Sequence, residues 1–128
     1  MPVNMSMNIL IVDDYKTMLR IIRNLLIQLG FNNIEDATNG DMALTKLKEK
    51  KYDLIISDWN MEPMTGFELL KIIRTDNNLK EIPFIMITAE SKTENVVAAK
   101  QAGVNNYIVK PFNAETLKSK LAAVLGEF

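Results

Sequence analysis

Two stretches decide the fold: Ile9-Leu10-Ile11-Val12-Asp13-Asp14 and Asp53-Leu54-Ile55-Ile56-Ser57-Asp58. Each is a short, continuous apolar run, rich in β-branched residues, that stops on aspartate. Such a run marks a strand buried on both faces, and strands of that kind belong to parallel sheets covered by helices. Ile82-Pro83-Phe84-Ile85-Met86-Ile87 is a third run. Pro83 is tolerable there only near the start, because it has no amide to donate. Asn106-Tyr107-Ile108-Val109 is the last strand, and residues 34–38 form a weaker one, polar enough to lie at an edge.

Working outward, the segments between these runs switch to helical spacing. Met18, Ile21, Ile22, Leu25, Leu26 and Leu29 recur on one helical stripe that Gly30 stops. Asn39-Gly40 turns the chain, and Ala43, Leu44 and Leu47 mark a second helix that runs out in Lys48-Glu49-Lys50-Lys51. Phe67, Leu70 and Ile73 mark a third. Val96, Val97 and Ala99 mark a fourth, stopped by Gly103; Leu117, Leu121, Val124 and Leu125 mark a fifth. Five βα repeats predict an α/β fold, a parallel sheet with helices on both faces. No change of composition suggests a boundary, so residues 1–128 are expected to form one domain.

Composition narrows the chemistry. A chain of 128 residues can bury a core without staples. It has no cysteine and no histidine. That excludes disulfides, thiolate and imidazole metal sites, thiol nucleophiles and histidine-based triads. With 15 Lys and Arg against 16 Asp and Glu, the net charge of -1 argues against bulk nucleic-acid binding. No signal peptide or membrane-spanning run is legible, so the expected location is the cytoplasm and no membrane partner is expected.

The polar residues that interrupt the buried runs share one property. Asp13 and Asp14 end the first strand, Asp58 the third, Thr88 the fourth and Lys110 the fifth. Open α/β sheets bind ligands beyond the carboxyl ends of their strands. One aspartate after a strand is more often a helix N-cap than a catalyst; five such residues on four strands are a site. Three crowded carboxylates repel, and a divalent cation removes the conflict. Oxygen-only ligands point to Mg²⁺ or a similar hard ion. Lysine and hydroxyl suit phosphoryl oxygens, and an aspartate can be the nucleophile of phosphoryl transfer. Asp58 is the candidate nucleophile, because it stands alone while Asp13 and Asp14 form the natural metal pair. No glycine-rich phosphate loop is present, so the phosphoryl donor is expected to be a phosphorylated protein or a small phosphodonor rather than ATP.

Val12-Asp13-Asp14, Ser57-Asp58-Trp59-Asn60-Met61, Thr88-Ala89-Glu90 and Tyr107-Ile108-Val109-Lys110-Pro111-Phe112 resemble the receiver domain of two-component response regulators. The resemblance runs from residue 8 to about residue 125 and is nearest to the single-domain chemotaxis subgroup. It implies a flavodoxin-like (βα)5 fold with strand order 2-1-3-4-5. It implies that Asp58 accepts a phosphoryl group from a phosphohistidine on a sensor histidine kinase. Asp14, Asp58 and the Asn60 carbonyl would hold Mg²⁺, with Asp13 helping through a metal-bound water. Lys110, the Thr88 hydroxyl and the Ala89 amide would contact the phosphoryl oxygens.

The same resemblance makes Thr88 and Tyr107 a switch pair. It places Lys92, Tyr107, Val109 and Lys120 on a surface of the fourth helix, fifth strand and fifth helix. In the chemotaxis subgroup that surface binds the N-terminal peptide of a flagellar motor switch protein. It further implies a cis Lys110–Pro111 bond, a monomer, and a dedicated phosphatase as a further partner. Asn60 and Glu90 sit where the family tunes hydrolysis, which implies a short-lived phosphoryl group. Trp59 is expected to flank the site. One departure stands out. The family usually has Met-Pro-x-Met-Asp-Gly after the phosphoacceptor, whereas this chain has Met61-Glu62-Pro63-Met64-Thr65-Gly66. Thr65 can still cap the third helix as aspartate does.

The alternatives are a receiver acting as phosphate sink or relay intermediate, a Mg²⁺-dependent phosphatase, and a DNA-binding regulator. Asn60, where such phosphatases carry a second acid, disfavours the enzyme; the end of the chain after the fifth helix disfavours an output domain. The expected protein is a phosphoacceptor switch without a turnover substrate.

Overall fold

A computed structural model describes residues 5–89 and 92–126. Five strands and five helices alternate. The strands are β1 (Asn8–Val12), β2 (Asn33–Ala37), β3 (Leu54–Asp58), β4 (Phe84–Thr88) and β5 (Asn106–Val109). The helices are α1 (Lys16–Gln28), α2 (Gly40–Glu49), α3 (Gly66–Thr75), α4 (Thr93–Gln101) and α5 (Ala114–Leu125). All strand pairs are parallel, in the order β2-β1-β3-β4-β5. This is the flavodoxin-like order, and β2, the most polar strand, lies at an edge as its composition requires.

The period-two alternation of each strand builds two cores. Leu10, Val12, Ile55, Phe84, Met86 and Tyr107 point to one face, against Ala43 and Leu47 of α2, Leu69, Leu70 and Ile73 of α3, and Ala99 of α4. Ile9, Ile11, Leu54, Ile56, Ile85, Ile87 and Ile108 point to the other, against Leu19, Ile22 and Leu26 of α1 and Leu117 and Leu121 of α5. Because β1, β3 and β4 are buried on both sides, their polar residues have nowhere to go except the strand ends.

The helix stops fall where the glycines predict. Gly30 and Gly103 follow α1 and α4 with φ of +109° and +99°. Pro83 lies just outside β4 and its carbonyl accepts from the Ile55 amide at 2.9 Å. Helix α4 departs from expectation: Val97 is exposed, Val96 only half-buried, and Ala99 alone is buried. Its small buried side chain anchors it lightly. Lys110–Pro111 is cis, and so is Glu62–Pro63, which the sequence did not signal.

Thr65 caps α3. Its Oγ1 accepts from the Glu68 amide at 3.1 Å and Glu68 Oε1 accepts from the Thr65 amide at 3.1 Å, a complete capping box. The next residue must be glycine. A Cβ at Gly66 would lie 2.1 Å from the Asp58 carbonyl oxygen and 3.0 Å from Met86 Sδ, and that carbonyl is backbone that cannot step aside. Gly66→Ala is therefore expected to lower stability by about 2 kcal/mol or more, and Thr65→Ala by about 1 kcal/mol through the lost cap. Denaturant midpoints of the two variants check this order.

Candidate functional site

The strand order puts β1 beside β3 and β3 beside β4, so the residues that end them converge. Oxygens of Asp13, Asp14 and Asp58 all lie within 4.8 Å of one another. Asp13 and Asp58 are buried, at 1% and 5% exposure, whereas Asp14 is open to solvent. None of the three caps a helix. The Asp13 Oδ1 accepts from the Tyr15 amide at 2.9 Å, Tyr15 is the N-cap of α1 without a side-chain bond, and Thr65 caps α3. The ordinary role of an aspartate after a strand is thus taken by Thr65 at α3 and left unused at α1.

Lys110 enters from the end of β5. Its amide donates to the Thr88 carbonyl at 2.8 Å, which ties it to the end of β4. Its Nζ stands 3.1 Å from Asp58 Oδ1 and 3.8 Å from Asp13 Oδ2. The ammonium is too far from Asp13 Oδ2 for a hydrogen bond and meets Asp58 Oδ1 as an ion pair without hydrogen-bond geometry, so both are buried acceptors without a well-formed donor. Buried polar atoms are rarely left so. Thr88 is fully buried beside them, at the β4 end, and Ala89 follows it on the surface. Asn60 is exposed in the loop after β3.

Electrostatics follow from burial. Desolvation pushes the Asp13 carboxyl up to about 6, with Asp58 and Asp14 adding like-charge repulsion and the Tyr15 amide and Lys110 partly offsetting it. Asp58 is likewise raised, chiefly by burial and then by Asp14, against the pull of Lys110. One ammonium does not compensate three carboxylates. Two buried carboxylate oxygens without donors, with a third carboxylate beside them and no nitrogen or sulfur ligand, fit a hard divalent cation.

The expected partner surface is only partly a surface. Lys92, the N-cap position of α4, and Val109 are exposed, and Lys120 is half-buried with its carbonyl accepting from Asn106 Nδ2 at 3.0 Å. Tyr107 is a correction: at 8% exposure it is turned inward and belongs to the core rather than to that surface. Its ring meets Trp59 edge-on, with centroids 6.2 Å apart at 72°, and Trp59 stacks on Phe67 at 5.2 Å and 10°. Trp59 thus flanks the site as expected and also joins Asp58 to Tyr107. Phe67 in this chain of rings had no signal in the sequence beyond helical spacing. Glu90, expected to influence phosphoryl lifetime, lies outside the described residues.

A five-stranded parallel sheet of this order, ending in an acid triad and a lysine, defines a class of protein. Residues 9–122 match the response regulator receiver domain, and the chain belongs to that family. Within it the chain is CheY-like. It is 57% identical over 118 residues to the chemotaxis protein CheY-3 of Vibrio cholerae, covering 92% of this chain and 91% of that one. The crystal structure of Vibrio cholerae CheY4 superposes with a TM-score of 0.87 at 38% identity, covering 94% and 99% of the two chains. The receiver domain of a sensor histidine kinase from Pseudomonas aeruginosa, solved with magnesium coordinated in its active-site cleft, superposes at 0.84 with 27% identity, covering 95% and 99%. No helix among the described residues is long and apolar enough to cross a membrane.

The raised carboxyl carries a stability consequence with a definite sign. The folded protein holds the Asp13 proton more tightly than the unfolded chain does. Stability therefore falls as pH rises from about 4 to 6 and stays reduced above that range. Asp13→Asn is expected to raise stability at pH 7 by on the order of 1–3 kcal/mol, with the gain vanishing below about pH 4. Millimolar Mg²⁺ should raise the Tm of the wild type more than that of the variant. Thermal melts across pH, with and without Mg²⁺, check both statements.

Proposed function

We propose that this protein is a phosphoacceptor switch of bacterial chemotaxis, phosphorylated on Asp58. The observation that carries the reading is the buried Asp58 carboxylate, held between Asp13, Asp14 and the Lys110 ammonium. An Asp58 carboxylate oxygen attacks the phosphorus of a phosphohistidine on a sensor histidine kinase of the chemotaxis type. The P–O bond forms, the P–N bond breaks, and the released imidazole takes up a proton. The barrier is mainly one of position and charge.

Asp13, Asp14, Asp58 and the Asn60 carbonyl would hold Mg²⁺, as suits the donor set and as the magnesium-bound Pseudomonas aeruginosa relative supports. The ion supplies neutralisation of the charge that gathers on the phosphoryl oxygens. The chain itself supplies the rest. Lys110 is already at 3.1 Å from the acceptor carboxylate and is anchored through its own amide, so it meets a phosphoryl oxygen without reorganising. The Thr88 hydroxyl and the Ala89 amide, at the end of the adjacent strand, take the other oxygens. With no histidine of its own, the chain depends on another protein for the donor. We assign it no turnover substrate, a cytoplasmic location like that of a soluble signalling protein, a monomeric state, and a phosphatase as an additional partner.

Output follows from the same geometry. Thr88 drawn toward a phosphoryl group alters the wall against which Tyr107 packs, and Trp59 supports that ring from the acceptor side. Exposed Lys92 and Val97 at the start and in the middle of α4, exposed Val109 in β5 and half-buried Lys120 on α5 supply apolar and cationic side chains to the output elements. These elements are the surface we assign to the N-terminal peptide of a flagellar motor switch protein.

Acetyl phosphate with Mg²⁺ is expected to phosphorylate the wild type and not Asp58→Asn; acid-labile phosphate retained by the variant would remove the assignment. Beryllofluoride, which stands in for the phosphoryl group, is expected to tighten binding of a motor-switch N-terminal peptide several-fold, read by fluorescence anisotropy. Unchanged affinity together with rapid back-transfer to the kinase would make the protein a phosphate sink or relay instead.

A further inference from the structure

At the opposite end of the strands from Asp58 lies a pocket of about 560 Å³ that the phosphoryl chemistry does not use. It opens between the end of α2 and the turn after α3. Its volume falls in the ~300–1,000 Å³ range of small-molecule sites. The floor is apolar: Leu47, Tyr52 and Leu79 are almost fully buried and Ile82 half so. The rim carries Lys48, Lys50 and Lys51 on one side and Asp76 and Asn78 on the other. The five residues of β3 separate this end from Asp58 by roughly 15 Å.

The rim cations are not equivalent. Lys50 is engaged: it pairs with Glu35 and lies over the Tyr52 ring at 5.3 Å. Lys48 and Lys51 are exposed and make no ion pair with the described residues. They would ordinarily serve only as cations near the negative end of a helix. Placed at the mouth of an apolar hollow, they also give it a polarity. Asp76, whose Oδ1 accepts from the Asn78 amide at 2.8 Å, repels an anion from the far wall and so fixes which side an anionic group takes.

The wall of this pocket is not free-standing. The carbonyls of Lys80 and Ile82 accept from Arg74 Nη1 at 3.2 and 2.8 Å. The same guanidinium donates from Nε to the Gly103 carbonyl at 3.0 Å and from Nη2 to Asn105 Oδ1 at 2.8 Å. That Asn105 oxygen also receives the Phe84 amide at 2.8 Å. Arg74 therefore holds the pocket wall and the turn between α4 and β5 in one rigid fork. Helix α4, buried through Ala99 alone, is the lightly anchored element that this fork restrains.

The geometry points to a binding site for a small aromatic anion in this pocket, joined through Arg74 to the turn that ends α4. The aromatic body covers Leu47, Leu79 and Ile82, and the anionic group faces Lys48 and Lys51. Occupancy that shifts residues 80–82 must move or strain the Arg74 fork, and so reach Gly103 and Asn105. The site stands independently of phosphorylation at Asp58.

The test is a ¹H–¹⁵N NMR titration of the full chain with naphthalene-1-sulfonate, using neutral 1-naphthalenemethanol as control. Saturable shifts are expected at residues 47–52 and 76–82, with smaller ones at Gly103 and Asn105. The Lys48→Glu/Lys51→Glu double variant, whose changes lie on exposed side chains, should weaken sulfonate binding roughly tenfold and leave the alcohol unaffected. Absent or non-saturating shifts at the pocket, or equal affinity for wild type and double variant, would overturn the site. Saturation at the pocket with no movement at Gly103 and Asn105 would overturn the coupling.

Discussion

The rest of the structure depends on the crowding of Asp13, Asp14 and Asp58 around one ammonium. Burying two carboxylates within 4.8 Å of a third is unfavourable on its own, and the raised Asp13 and Asp58 carboxyls register that cost. The sheet tolerates it because β1, β3 and β4 are covered by helices on both faces and hold these strand ends in place. Lys110 offsets part of the repulsion and leaves two acceptor oxygens without donors. The fold thus concentrates negative charge and unsatisfied acceptors at one end of the sheet, an arrangement whose chemistry suits a hard cation.

The neighbouring elements are fitted closely to the acid cluster. Gly66 permits the Asp58 carbonyl to lie against the start of α3, and Thr65 with Glu68 closes the helix end. The loop between β3 and α3 carries the displaced proline on a cis bond at Glu62–Pro63. Trp59 and Tyr107 lie edge to face between the acceptor and the α4–β5 side of the molecule. Helix α4 has one buried residue and exposed valine, so it can move at small cost in packing. Trp59, Tyr107 and the lightly packed α4 share one face of the sheet, next to the strand end that carries Asp58.

Much of this is legible in the amino-acid sequence. Continuous apolar runs mark the buried strands, and the polar β2 is recognisably an edge. Asp13, Asp14, Asp58, Thr88 and Lys110 stand out because a polar residue at the end of a doubly buried strand can only lie at the sheet's edge. The less legible parts share a different cause. Tyr107 sits in a four-residue strand whose alternation does not say how deeply its ring is buried. Phe67, Arg74 and the pocket above Leu47 and Leu79 depend on residues from separate repeats, and local periodicity carries no information about such meetings.

By itself the sequence determined the class of fold, the number of repeats and the residues available for chemistry, because strand and helix periods are local and no histidine or cysteine competes for the role. Only the tertiary structure decided that the acids share one cluster and that Lys110 reaches two of them. It also decided that Tyr107 faces inward. Those facts depend on strand order and on packing between distant segments. A local pattern can show that a residue lies at a strand end; which other strand end it meets is set only when the sheet closes.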